Sequence, residues 1–324
     1  MLTVEHDITI GSTQFKSTDS SRLIELRCDA ALGVPVNSCE MVFTIPEDLS
    51  FTEGDAVTVK LGYNSDLSTV FTGIVHQIAW QIGSVSISAR SVFQELAALR
   101  VNAYFENAFA MDIVRGLASE TEVSVGTTQP GLRFAFYAVG NNRTAWQYIN
   151  DLAAQCGFDF YADEKDKLVF AMPLPIGLPT LLEFGKNLLT CRIEQTTATI
   201  KGIEVYGESP SSFGQGPQAS TWFTKQEVKG SGGDSDKVLR QYIPTARTQE
   251  SAASMANALW NQIKPKKKGV LTLLGKAEIK IGAMVNVSSV PSDAQNGMYR
   301  IVGFTHSIRK SKGFITQLKI MENG

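Results

Sequence analysis

Short runs in which apolar and polar residues alternate dominate the first ninety positions. Leu23–Cys28, Cys39–Ile45, Ala56–Leu61, Val70–Val75 and Val85–Ala89 are such runs, and Gly, Pro, Asn and Asp separate them. A period of two marks a half-buried strand, so this stretch predicts the short strands of a small barrel or sandwich.

The period changes near residue 91. Ser91 is placed to cap a short helix through Leu99, and Ala110–Ala118 repeats apolar residues at helical spacing. A longer helix follows: Asn142 is read as its cap, Trp146, Ile149, Leu152, Ala153 and Cys156 recur at steps of three and four, and Gly157 closes it. Phe158–Tyr161 and Lys167–Phe170 then read as a hairpin about a charged turn. Met172–Pro179 carries too many prolines for a central strand and is read as a connector. Strands resume at Cys191 and Thr199. Residues 207–237 are rich in Gly, Ser and Pro and read as a long loop carrying Trp222 and Phe223. One more helix, capped by Thr248 or Ser251, runs over 248–263 before Pro265, and strands complete the chain.

A similar strand pattern occurs twice. Gly54-Asp-Ala-Val57-Thr-Val59, Gly73-Ile-Val-His76-Gln-Ile78 and Gly83 are echoed by Gly282-Ala-Met-Val285-Asn-Val287, Gly303-Phe-Thr-His306-Ser-Ile308 and Gly313. The first two glycines of the set lie 19 positions apart in one copy and 21 in the other, the last two 10 apart in both, which is read as a longer turn in the second copy. The pattern predicts an α+β, mostly β chain. Two related small β-barrel modules, residues 1–90 and 184–324, flank an inserted α+β module at 91–183. If three such chains closed a ring, it would present six similar modules.

Composition narrows the function. The 324 residues are enough for two or three packed units. With 30 Lys+Arg against 32 Asp+Glu, no charge excess exists to coat nucleic acid or anionic lipid. No apolar run is long enough to span a bilayer, and the first residues lack the blocks of a signal peptide, so synthesis in the cytoplasm as a soluble chain is expected. Cys28, Cys39, Cys156 and Cys191 form no CxxC pair and read as free thiols, with a Cys28–Cys39 disulfide as the minority reading.

Candidate chemistry is sparse. His76 and His306 occupy the matched position of the repeat among apolar neighbours, where core or boundary histidines sit, and no metal-ligand spacing accompanies them. No cofactor is expected. Ser211–Gly216 is glycine-rich but precedes no helix, so it reads as flexible rather than phosphate-binding. Glu164 and Asp166 read as solvated turn residues. Acid pairs for glycan cleavage nevertheless remain the one enzymatic option a sequence leaves open. Lys264-Pro-Lys-Lys-Lys268 reads as a solvated turn at a helix end. Trp222 and Phe223 read either as an anchor on a neighbouring subunit or as packing within their own domain.

Thr144–Tyr161 followed by Lys167–Phe170, together with Phe71–Val75 upstream and Asp112–Ala118, resembles the late control gene D family of phage tail hubs. That family is related to the N-terminal part of type VI secretion spike proteins. The resemblance implies a non-enzymatic homotrimer in a contractile-tail baseplate, joining a six-fold tail tube to a three-fold spike. It implies the spike protein and the tail tube or tube-initiator protein as partners, then tape measure and baseplate wedge proteins. Membrane binding and sequence-specific nucleic acid binding are not implied. The expected place is the virion, assembled in the host cytoplasm. The chain stops at Gly324 without a needle-like or lysozyme-like segment, so the spike is expected to be a separate chain. The rival readings are a tail-associated peptidoglycan or glycan hydrolase and a surface-binding adhesin module.

Overall fold

The computed structural model describes residues 3–17, 22–44, 51–195, 197, 199–208 and 227–322. The first alternating runs form β1 (Val4–Ile10), β2 (Thr13–Lys16), β3 (Leu23–Ala31), β4 (Ser38–Thr44), β5 (Ala56–Tyr63), β6 (Asp66–Gln81) and β7 (Ser84–Arg90). The middle of the chain holds α1 (Gln94–Ala98), β8 (Ala103–Phe109), α2 (Ala110–Ala118), β9 (Val125–Thr128), β10 (Arg133–Val139), α3 (Ala145–Cys156), β11 (Asp159–Ala162) and β12 (Leu168–Ala171). After it come β13 (Ile176–Glu183), β14 (Leu188–Gln195), β15 (Gly202–Tyr206), β16 (Lys229–Gly233), β17 (Val238–Tyr242) and α4 (Gln249–Ile263). The chain continues through β18 (Lys267–Leu274), β19 (Ala283–Ser288), β20 (Gly297–Arg309) and β21 (Gly313–Glu322). The molecule is α+β and mostly β.

The strands of the two ends belong to one 13-stranded sheet, in the order β14-β18-β21-β20-β3-β4-β7-β6-β5-β1-β2, with β13 and β19 attached beside β20. The sequence predicts two barrels. The hydrogen bonds among the described strands draw a continuous path that joins the ends at β20·β3. Alternation of burial along β4 and β7 turns Cys39, Met41, Phe43, Val85, Ile87 and Ala89 into an N-terminal core. A second core gathers Leu271, Val285, Tyr299, Ile301 and Leu318.

A third core packs α2 and α3 against the middle strands, and it also takes in Ile203, Val205, Met255 and Ala256. The segment after β14 therefore folds back onto the middle of the chain as the sheet β16-β15-β17 backed by α4. Within 207–237, read from sequence as a loop, Lys229–Gly233 is a strand. Its glycines permit close approach rather than flexibility. A Cβ on Gly230 would lie 2.1 Å from the Ala252 backbone, and one on Gly232 would lie 2.5 Å from the Ala256 carbonyl oxygen. The proline-rich connector ends in β13, an edge strand that pairs irregularly with β19. The cap of α3 is Thr144, whose hydroxyl accepts from the Gln147 N–H, rather than Asn142, whose side chain accepts from the Tyr148 hydroxyl.

The duplication is written in the backbone. Gly54 donates its N–H to the Val75 carbonyl at 2.9 Å, and Gly282 donates to Ile301 at 2.9 Å; their φ angles are +91° and +86°. The β6·β7 ladder slips between Val75 and Gln77, and β20·β21 slips between Ile301 and Gly303. A second pair of slips agrees, at Leu23/Glu25 in β3·β4 and at Leu188/Thr190 in β14·β18. Thus β3, β4, β5, β6 and β7 match β14, β18, β19, β20 and β21. In this register Val75 matches Ile301, so His76 matches Val302 and His306 matches Trp80. The expected equivalence of the two histidines fails. The turn before β6 is Asn64-Ser65, whereas β19 and β20 are joined by the longer 289–296, and the hairpin beyond the slip runs 77–88 in one copy and 303–319 in the other.

Candidate functional site

The features that could act lie at the seam between the two sheet copies and in the cleft behind it. Strand β20 changes partner midway. Its first residues pair with β19, and beyond the slip Gly303–Arg309 pairs antiparallel with Glu25–Ala31 of β3. At the centre of this seam His306 stands opposite Cys28, and both are buried. The His306 Nδ1 lies 2.9 Å from the Thr316 hydroxyl, and its ring packs between Phe304 and Phe314. Burial pushes its pKa down to about 3. The ring is therefore neutral and structural. Thr305 donates to Asp29 at 2.5 Å, and the Arg309 guanidinium pairs with Glu25 at the far end. His76 is exposed, because the slip in β6 falls on it.

A cleft of about 380 Å³ opens where the N-terminal sheet, the middle units and the C-terminal strands meet. Arg300, Asp159, Glu164 and Lys280 line it. Arg300 on β20 pairs with Asp159 on β11, both side chains nearly buried, and Lys280 pairs with Glu164 at 2.5 Å. Each of these acids is committed to a cation, which is how an interface between units is pinned. Glu164 and Asp166 differ from the solvated turn expected of them. Asp166 is buried, accepts the Val92 N–H at 2.6 Å near the start of α1, and is pushed up to about 6 by desolvation. No sequence motif marks Arg300 or Asp159; they are brought together across 141 positions.

The remaining candidates scatter. Trp222, Phe223 and Ser211–Gly216 lie outside the described residues. Lys267 and Lys268 open β18, where the Lys267 ammonium donates to the Ala294 carbonyl at 2.8 Å, so this run is partly strand rather than turn. Cys28 and Cys39 face each other across β3·β4 as buried free thiols, and burial pushes the Cys39 thiol up. Among the described residues no group of three or more His, Cys, Asp or Glu is arranged to hold a metal, and no helix is long and apolar enough to cross a membrane.

What the sequence missed is surface. Trp80 is 61% exposed at the end of β6 and Ile82 is fully exposed beside it. Strand β14 ends the sheet with Leu189 exposed and Ile193 half-buried.

Comparison with known proteins fixes the fold's relatives. A family model described as Alg8 N-terminal domain matches residues 36–310. That is a different family from the late control gene D family indicated by the sequence resemblance. No curated protein matches the sequence. The 43 kDa tail protein of prophage MuSo2 from Shewanella oneidensis is similar at a TM-score of 0.72 and 16% identity, over 99% of this chain and 100% of that one. A tail protein from Neisseria meningitidis MC58 is similar at 0.72 and 15% identity, over 99% and 97%. An E. coli component of the type VI secretion system, itself described as structurally similar to T4 phage tail proteins, is similar at 0.61 and 9% identity, over 100% and 77%. The fold is that of phage tail-related proteins.

Proposed function

The chain belongs to the Alg8 N-terminal domain family, and from its phage tail-related fold and its duplicated sheet we propose that it is a structural baseplate hub of a contractile tail or a phage-like injection particle. In this reading it is a homotrimer of the virion, assembled in the host cytoplasm. Two barrel-like modules per chain, within 1–90 and within 184–324 apart from the β15–β17 and α4 segment that packs on the middle of the chain, make the six-fold face for the tail tube or tube-initiator protein. The three-fold face seats a separate spike protein, and tape measure and baseplate wedge proteins complete the surroundings. The reading is non-enzymatic; the pairing of Asp159 with Arg300 and of Glu164 with Lys280 supports it, since neither acid is left free for proton transfer.

The observation that carries the proposal is the duplication. Two sheet copies with the same glycine turn and the same pair of ladder slips are what one chain needs to count twice in a ring. Likeness over nearly the whole length of two phage tail proteins supports the same role. Light scattering on the purified chain, alone and with its spike protein, tests it. A trimer, alone or with the spike, is expected; a monomer that binds neither spike nor tube protein overturns the reading.

A further inference from the structure

Each copy of the sheet ends in two kinds of edge, and among the described residues one of each is covered. Within the chain, β20 beyond its slip pairs with β3. The matching stretch of β6, Gln77–Gln81, pairs with β7 on one side, while β5 stops opposite Ile74; among the described residues no strand pairs its other side. The match of β3 is β14, which pairs with β18 and ends the sheet. Among its described residues each chain thus holds one finished seam and the two separate halves of another.

We propose that the second seam forms between two copies of this chain, β6 of one protomer adding antiparallel to β14 of the next. The inference rests on the hub reading for its expectation of a closed ring, and deepens it by naming the contact. The finished seam supplies the register. Carrying β20 onto β6 and β3 onto β14 through their slips takes the opposed pair His306·Cys28 to Trp80·Ile193. Thr305·Asp29 goes to Ala79·Glu194 and Ser307·Arg27 to Gln81·Arg192.

The side chains agree with that pairing. The central pair of the finished seam is 0% and 1% exposed, whereas Trp80 is 61% exposed. A tryptophan on a bare strand edge is a large apolar surface without a neighbour, and Ile193 is the apolar residue the register sets against it. On β14 Arg192 and Glu194 pair with one another at 2.5 Å, with both side chains well exposed. They leave the backbone of that edge open to a strand rather than barring it with like charge.

The test is a disulfide at the central pair. In a Cys191→Ser background, Trp80→Cys combined with Ile193→Cys puts two thiols on directly opposed residues, about 4.5–5.5 Å apart at Cα, within disulfide reach. Oxidation of the assembled full-length protein is expected to give covalent oligomers, up to the mass that light scattering finds for the native assembly. Either single cysteine variant should give none. Trp80→Glu, at a site exposed enough to leave folding intact, is expected to raise the dissociation constant of the assembly about tenfold or more. An assembly that forms without these crosslinks and ignores Trp80→Glu overturns the seam and leaves the hub standing. A crosslinked assembly that binds neither tube nor spike protein overturns the hub and leaves the seam standing.

Discussion

His306 is kept neutral by its surroundings, and that has a measurable sign. An unfolded histidine takes up a proton as pH falls through about 6.5, but the folded site waits until about 3. Between those values the unfolded chain binds more protons, so folded stability falls as pH falls, by up to about 1.4 kcal/mol per pH unit. His6, also lowered by burial, acts in the same direction. Asp166 acts oppositely: its carboxyl is raised to about 6 from 3.8, so the folded state holds the extra proton and loses stability as pH rises through that window. The two effects overlap between about 4 and 6. Asp166→Asn, whose amide oxygen still accepts the Val92 N–H and which tolerates the positive φ there, should therefore steepen the acid loss of stability. Urea midpoints at pH 7, 6 and 5 would show it, and parallel profiles for the two proteins would refute it. None of this was legible in the sequence. An acid in a charged turn reads as solvated, and only the fold carries the start of α1 to Asp166.

Elements were more legible than their caps and edges. The period-two runs of the first ninety residues and the three- and four-residue steps of α3 are local signals, and the strands and helix lie where they predict. The cap of α3 was misplaced by two residues because Asn and Thr are both good caps, and the choice falls to Gln147, which completes a capping box with Thr144. Thr144→Ala should cost about 0.5–2 kcal/mol of stability, and Asn142→Ala less; equal losses in denaturation would contradict the assignment. The glycines of β16 misled more thoroughly, since glycine signals loops far more often than close packing. Gly230→Ala would drive a Cβ into the backbone of α4. It is expected to cost about 1–3 kcal/mol, read as a lowered urea midpoint, and an unchanged midpoint would mean that the strand stands off the helix.

At the scale of the whole molecule the units are held by contacts between distant residues, which leave no mark in a local pattern. Arg300 and Asp159 are the clearest case. Asp159→Ala would leave a guanidinium buried without its partner, at an expected cost of about 3–5 kcal/mol. Changing both residues, with Arg300→Met added, should recover much of that loss in thermal denaturation, and a double variant no better than the single one would argue against the pair as the cause. The repeat was visible because glycine turns recur in sequence, yet its alignment was wrong by four positions at the histidines. Strings of letters cannot see a ladder slip, and the slips define the true match.

The β20·β3 seam also has a clock. Its two strands lie at opposite ends of the chain, with Thr305 bonded to a residue 276 positions earlier. A ribosome adding 5–20 residues each second needs roughly a quarter of a minute to a minute to cover that distance. Throughout that interval β3 has been made and the strand that covers it has not. The last hairpin synthesised closes the oldest edge, so a chain cut short before β20 would leave the cell with a bare strand that any other copy could capture.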